Sequence, residues 1–427
     1  MVPTPADVNH QASRTDVSAV RPGAAPSEIP QKKGSAWEVF TTFLRLGLTS
    51  FGGPVAHLGY FRGEFVERRR WLDERSYADL VGLCQFLPGP ASSQTGFAIG
   101  LLRGGYLGGL AAWAGFTLPS ALVLLLFAYG AGGLAATTAG AGLLHGLKLV
   151  AVAIVAQAVW GMARSLCPDR ERASIAVLAL IFVVFAPTAI GQIIAIALGG
   201  AAGLLLCRTA SSSSAVPEPL AMPVSRSVGI TCLVVFAALL LVPPFLRGTG
   251  MAFAMFDAFY RSGALVFGGG HVVLPLLRDA VVNPGWVSEN TFLAGYGAAQ
   301  AVPGPLFTFA AYLGAVIAGP FAGIPGAIIA LVAIFLPGIL LLMGTLPFWD
   351  ALRGRPQAQA AMRGVNAAVV GLLGAALYDP VWTSAVLRPM DFALAVLGFV
   401  GLVVWRTPPL AVVAIGALGG IGLAYIG

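Results

Sequence analysis

The chain has 427 residues, of which 57% are hydrophobic and 10% charged, with a mean hydropathy of +0.85 and a formal net charge of +7. A soluble domain carries about 25% charged residues, so the composition excludes one and indicates a polytopic membrane protein. The positive charge does not imply a nucleic-acid partner, because the arginines lie in short loops between apolar runs, where they orient membrane segments.

Residues 1–35 are rich in Ala, Pro, Ser and charge and contain no apolar signal-peptide core. They are predicted to be a disordered tail, and Lys32 and Lys33 place it in the cytoplasm. About thirteen apolar segments follow, each near the length that crosses a hydrocarbon core about 30 Å thick. In the first half they cover 36–58, 78–103, 105–130, 143–164, 173–187 and 189–207. After a polar linker, 208–226, comes a lone segment, 227–246; then 252–275, 290–318, 320–345, 363–379, 390–405 and 408–426. The predicted organisation is a tail (1–35), an N-terminal repeat (36–207), a linker with a connecting helix (208–251) and a C-terminal repeat (252–427).

The halves are related. Phe40, Arg45, Gly47, Phe51, Gly52 and Gly53 recur as Phe256, Arg261, Gly263, Phe267, Gly268 and Gly269. Trp71, Glu74, Gly82, Gln85, Pro88, Gly89 and Pro90 recur as Trp286, Glu289, Gly297, Gln300, Pro303, Gly304 and Pro305. Pro119, Gly146 and Lys148 are matched by Pro337, Gly364 and Asn366. Such a repeat governs the fold. Six segments, one extra and six more start the second half from the opposite side of the membrane, so the repeats are expected to be inverted. Charge agrees: Arg62, Arg68, Arg69, Arg70 and Arg75 crowd the loop 62–79, whereas its counterpart 276–289 carries only Arg278. The first loop is then cytoplasmic, the second outside, and the C-terminus periplasmic. A cytoplasmic tail and a cytoplasmic 62–79 loop cannot flank one full span, so segments 36–58 and 78–103 are expected to be re-entrant, broken at Gly52-Gly53-Pro54 and Pro88-Gly89-Pro90. The fold class is therefore all-α integral membrane, with two inverted repeats of about six segments and broken helices.

Interrupted helices at matching positions of inverted repeats point to a transport site between the repeats. Pro90 can open a half-helix whose first N–H groups, at Ala91, Ser92 and Ser93, face the break. With the hydroxyls of Ser92, Ser93 and Thr95 they would cradle an oxyanion at the positive end of a helix dipole. Pro305 would open the matching half-helix, with Thr308 as its nearest hydroxyl. The alternative for a lone Pro-Gly-Pro is a packing kink. Arg45 and Arg261, embedded in apolar sequence, could bind the same oxyanion or snorkel to the interface; Lys148 is a weaker candidate. Gln85 and Gln300, one turn before each break, could cap backbone or ligand or join helices. His57 and His271, at inequivalent positions, read as packing histidines. Glu64, Glu67 and Asp79 could couple protons, or form a solvated network with the arginines. Neither a Walker loop nor a clustered catalytic constellation is present, which points away from ATP-driven transport and from an enzyme. Cys84, Cys167, Cys207 and Cys232 are scattered, with no CxxC and no histidine nearby, so neither a metal site, a cofactor nor a disulfide framework follows.

The words SFGGPVAHLGYFRGEFVERRRWL and QFLPGPASSQ in the first half, with FGGGHVVLPLL and QAVPGPLFTF in the second, resemble the chromate ion transporters in their long two-repeat form. The resemblance covers nearly everything after the tail. It implies chromate export from the cytoplasm across the bacterial inner membrane, driven by the membrane potential or proton gradient and giving chromate resistance, with sulfate as a competitor of the same shape and charge. It directs attention to Arg45, Gly52, Gly53, Pro54, Glu64, Gln85, Pro88, Gly89, Pro90, Ser92 and Gln94, and leaves a homodimer open. The rival readings are a transporter of sulfate or another oxyanion, a passive anion channel and, more remotely, a membrane enzyme.

Overall fold

The computed structural model describes residues 34–51, 53–135, 137–186, 188–207, 223–246, 248, 250–267, 270–349 and 355–426. The predicted tail to residue 33 and most of the polar linker lie outside these residues. Among the described residues all regular structure is helical. The first repeat comprises α1 (Ala36–Thr49), α2 (Gly53–Phe61) with a π-helical turn (Arg62–Arg68), α3 (Glu74–Phe86), α4 (Ala91–Ala135), α5 (Thr138–Leu166), α6 (Arg170–Phe185) and α7 (Ala189–Leu206). A lone helix, α8 (Arg226–Leu241), separates it from α9 (Met251–Ala264), α10 (Val273–Val281), α11 (Glu289–Ala299), α12 (Phe309–Val316), α13 (Ile324–Thr345), α14 (Pro356–Ala376), α15 (Pro389–Val403) and α16 (Pro409–Ile426).

Short polar residues set the helix starts. Ser35, Asp73, Thr137, Asp169, Thr188, Ser225 and Ser288 each accept a bond from a backbone N–H of the first turn, a contribution of about 1 kcal/mol apiece. The expected segment 36–58 is divided at Ser50–Gly53, and 78–103 at Leu87–Pro90. The segment expected to begin at 105 continues from 103 in one helical run, but Gly104 and Gly105 leave helical geometry. Helix α4 doubles back there: Gly100 packs against Gly108, as Gly314 of α12 packs against Gly326 of α13.

The halves are exchanged in space. Helix α1 packs on α4 and α9 on α13 within their own repeats, but α6 and α7 pack on α14 of the second repeat, while α15 and α16 pack on α5 of the first. Glycines allow both crossings at equivalent places. A Cβ at Gly146 of α5 would run into the Gly416 carbonyl of α16, and one at Gly364 of α14 into the Gly199 carbonyl of α7. Small residues of this kind let backbones meet in lipid, where no hydrophobic force draws helices together. Among the described residues, six helical runs are long and apolar enough to span a membrane: 91–130, which contains the Gly104–Gly105 reversal, 138–166, 226–245, 324–348, 356–385 and 409–426. Leu126, Phe245 and Leu418 on these runs, and Phe185 and Leu205 on α6 and α7, are all exposed, as lipid contact requires. The protein is a multi-pass, all-α membrane protein built from two repeats and a connecting helix.

Candidate substrate site at the repeat crossing

The two Pro-Gly-Pro loops are clipped across the molecule. The Gly89 N–H donates to the Val266 carbonyl at 2.7 Å, and the Gly304 N–H donates to the Ser50 carbonyl at 2.9 Å. Ser50 and Val266 immediately precede the two Phe-Gly-Gly motifs, so each repeat's Pro-Gly-Pro holds the other repeat's Phe-Gly-Gly. Gly89 has φ +121° and Gly304 φ +100°, a region that only glycine adopts at little cost. Both are also tight: a Cβ on Gly89 would stand 3.1 Å from the Gly338 Cα, and one on Gly304 3.0 Å from Ser120 Oγ and 3.1 Å from the Phe116 carbonyl oxygen. Gly338 and Ser120 directly follow Pro337 and Pro119, the matched prolines inside α13 and α4.

Helix α4 starts at this crossing. The Pro90 carbonyl accepts the Gln94 N–H at 2.9 Å, which makes Pro90 the N-cap and Ala91 the first helical residue, one position later than expected. The N–H groups of Ala91, Ser92 and Ser93 are then the ones a helix leaves without an internal partner. Gln94 is buried, and its Nε2 donates to the Pro88 carbonyl (3.1 Å) and, across the repeats, to the Gly338 carbonyl (2.9 Å). Two carbonyl acceptors fix the orientation of the amide. His57 is buried, with Nε2 at 3.2 Å from the Ser50 carbonyl and Nδ1 at 3.4 Å from Ser92 Oγ. In the neutral ring Nε2–H donates to the carbonyl and Nδ1 accepts from the serine. The Ser50 carbonyl thus receives both His57 and Gly304.

Several polar atoms on these elements are buried without a hydrogen-bond partner among the described residues: the hydroxyls of Ser50, Ser93 and Thr117, the Gln300 Nε2 and the Gln94 Oε1. Four of the five are donors. An unsatisfied buried donor costs about 1–3 kcal/mol, and clustering such groups on elements that meet at one crossing suits a ligand made of acceptors.

The other expected site residues are distributed unevenly. Thr95 and Thr308 are buried beside the breaks, but the Thr308 hydroxyl closes its own turn onto the Pro305 carbonyl at 2.8 Å. Gln85 is exposed on the last turn of α3, unlike its half-buried partner Gln300. Arg45 is exposed on α1. Arg261 is engaged in the helix bundle: its Nε meets Asp257 Oδ1 at 2.7 Å and its guanidinium also donates to the Leu240 carbonyl of α8. Asp257, wholly buried, escaped the sequence reading, although its four-residue spacing to Arg261 on one helix face was the available signal. Lys148 Nζ donates to Asn290 Oδ1 at 3.0 Å, away from the Pro-Gly-Pro clip, on a separate cavity. Gly53 opens α2, whereas Gly52, Gly268 and Gly269 lie outside the described residues.

Of the coupling candidates, Glu64 binds Arg68 (2.8 Å) and Arg69 (2.6 Å), while Arg62 joins Glu74 (2.7 Å) and Glu67. The hydrogen bond to Glu74, reinforced by the charge of Glu67, raises the Arg62 pKa above its ordinary value. Arg69 and Arg103 both lie over the Trp71 ring, and Arg103 reaches Glu38 at 3.2 Å. This loop is an ion-pair network closing over one end of the first repeat. Asp79 is half-buried on α3.

Two repeats with paired broken helices clipped at their interface fit the architecture of a membrane transporter. The chromate transporter family matches residues 37–204 and again residues 253–421, and these bounds coincide with the two repeats. The chain belongs to the chromate transporter family. It is 30% identical over 393 residues to a chromate transport protein of Pseudomonas aeruginosa, covering 90% of each chain. It is 29% identical over 342 residues to a probable chromate transport protein of Synechococcus elongatus, covering 78% of this chain and 82% of the relative. A chromate transport protein of Cupriavidus metallidurans is 28% identical over 338 residues, 78% of this chain and 80% of that one. No solved structure matches the chain.

Proposed function

We propose that the protein exports chromate from the cytoplasm across the bacterial inner membrane as a secondary active transporter, and so confers chromate resistance. The observation that carries this reading is the reciprocal clip of Gly89 to Val266 and Gly304 to Ser50, with unpartnered buried donors gathered on the clipped elements. Chromate is a tetrahedral dianion that only accepts hydrogen bonds. The free N–H groups of Ala91, Ser92 and Ser93, at the positive end of α4, are the natural seat for it. Hydroxyls of Ser50, Ser93 and Thr95 and the Gln300 amide complete the cradle from both repeats, and Gly89 and Gly304 let backbone approach closely. Gln94 and Thr308 hold the two loops in shape. Substrate identity rests on the relatives named for chromate transport; sulfate, of equal charge and shape, is expected to compete.

The arginine-rich loop 62–79 faces the cytoplasm in this reading, and the C-terminus the periplasm. Relative movement of the clipped loops would open the crossing to each side in turn. Glu64, Glu67 and Asp79 are the acids to test for coupling, Glu64 and Glu67 from within ion pairs with Arg68, Arg69 and Arg62. The deciding experiment scores uptake of labelled chromate by inside-out vesicles holding the purified protein, with and without membrane potential and proton gradient. Energised uptake that collapses with uncoupler supports an exporter. Flux that follows only the clamped electrochemical gradient would make it a channel, and uptake of sulfate alone would overturn chromate.

A further inference from the structure

Away from the crossing, a cavity of about 510 Å³ opens between the repeats, lined by His145 and Lys148 of α5, Asn290, Thr291 and Ala294 of α11 and Tyr312 of α12. Lys148 donates to Asn290 Oδ1 at 3.0 Å. That contact fixes the amide and leaves both Asn290 N–H donors for another acceptor, while the ammonium keeps two N–H groups of its own. Tyr312 already donates to the Thr291 carbonyl at 3.1 Å. A second cavity of about 320 Å³ shares His145 and adds Arg388 and Asp391 of α15. Asp391 is buried and saturated: it accepts from the backbone N–H groups of Leu387 and Arg388 at 3.2 and 3.0 Å, and lies 2.9 Å from His145 Nε2 and 3.6 Å from Arg388. Two basic side chains, Lys148 and Arg388, thus stand against one carboxylate. The repeat counterpart of Lys148 is the neutral Asn366, so this cation is not repeated in the other half.

We propose that the Lys148 cavity is a second oxyanion site, a vestibule that holds a tetrahedral dianion at the face opposite the arginine-rich loop. A cation in a low-dielectric cleft focuses its field and raises the local concentration of anions. The cavity is far larger than one tetrahedral oxyanion, so binding there is weak and water-filled. Its position on the exit side rests on the orientation under Proposed function, extended to α5 by Arg164, Arg170 and Arg172 at its C-terminal end, which favour the cytoplasm; Lys148 lies in the other half of that helix.

The test labels Lys148 with a small amine-acylating reagent in proteoliposomes and reads modification of that residue by mass spectrometry, under sulfate, chromate or isotonic chloride. Chromate transport is assayed in the same preparation. Both dianions should slow acylation about fivefold, the protection given by ~80% occupancy, while chloride leaves it unchanged. Protection without transport upholds the vestibule and overturns the transport reading. Transport without protection overturns the vestibule alone. Failure of the reagent to reach Lys148 would also overturn it, because a vestibule must admit a reagent of that size.

Discussion

Alanine at Gly304 tests the crossing most directly. Its φ of +100° is hostile to any side chain, at about 1–3 kcal/mol, and its new Cβ would press on Ser120 Oγ and the Phe116 carbonyl at 3.0 and 3.1 Å, adding about 1–3 kcal/mol of overpacking. Gly319 separates the two effects: it has φ +130°, but a Cβ there would meet nothing within 4 Å. Gly319→Ala should therefore cost only the backbone part, and Gly304→Ala should exceed it by about 2 kcal/mol. Gly89→Ala should resemble Gly304→Ala, since its Cβ would lie 3.1 Å from the Gly338 Cα. Equilibrium unfolding in mixed micelles, titrated with dodecyl sulfate, gives the differences, and chromate flux in vesicles gives the functional effect. Gly304→Ala and Gly89→Ala should lose transport, and Gly319→Ala should keep it. Equal stability of all three, or unimpaired transport by the first two, would refute the claim that the two loops are locked at this point.

Other substitutions separate structural from substrate-binding roles. Gln94→Leu removes the bonds to the Pro88 and Gly338 carbonyls, so it should lower unfolding stability by about 1–3 kcal/mol, with Gln94→Glu worse because it sets a carboxylate against two carbonyls. Arg261→Ala strips a guanidinium from buried Asp257 and should cost about 3 kcal/mol, the low end for a broken buried pair because the arginine is 28% exposed; Arg261→Met with Asp257→Leu should recover much of it, and transport by the double variant would assign Arg261 to the scaffold. Arg45→Ala, on an exposed face, should change stability by less than about 0.5 kcal/mol and keep chromate flux; loss of flux would return Arg45 to the site. Asp169 is held below the usual carboxylate range by its hydrogen bonds from Arg172, so its stabilisation of the start of α6 is present at neutral pH and lost as pH falls through its folded pKa. Amide exchange at residues 170–173, corrected for intrinsic rate, should quicken on acidification in the wild type and lose that dependence in Asp169→Ala.

The repeat and the two breaks were legible because local chemistry fixes them: Gly-Gly and Pro-Gly-Pro interrupt helices wherever the chain goes. Which loop clips which was not, since Gly89 finds Val266 and Gly304 finds Ser50 only after both halves are assembled. The same holds for the exchange of α6 and α7 with α15 and α16, where glycine spacing signals a close crossing but not the identity of the partner. Embedded arginines attracted attention as substrate ligands because apolar neighbours make charge conspicuous. The structure instead joins Arg261 to Asp257 and leaves Arg45 outside. His57 read as a packing histidine on sequence, and its link to Ser50 and Ser92 depends on a fold-back that periodicity does not encode.

The exchange of outer helices bears on how the protein is made. As the first half leaves the ribosome, α6 and α7 have little beyond each other to close on until α14 is inserted, and α5 waits longer still for α15 and α16. Half a chain is therefore not half a transporter. Cut within the linker, the two pieces should restore one working molecule when made together, while either piece alone would present the quality-control machinery with unmatched glycine seams.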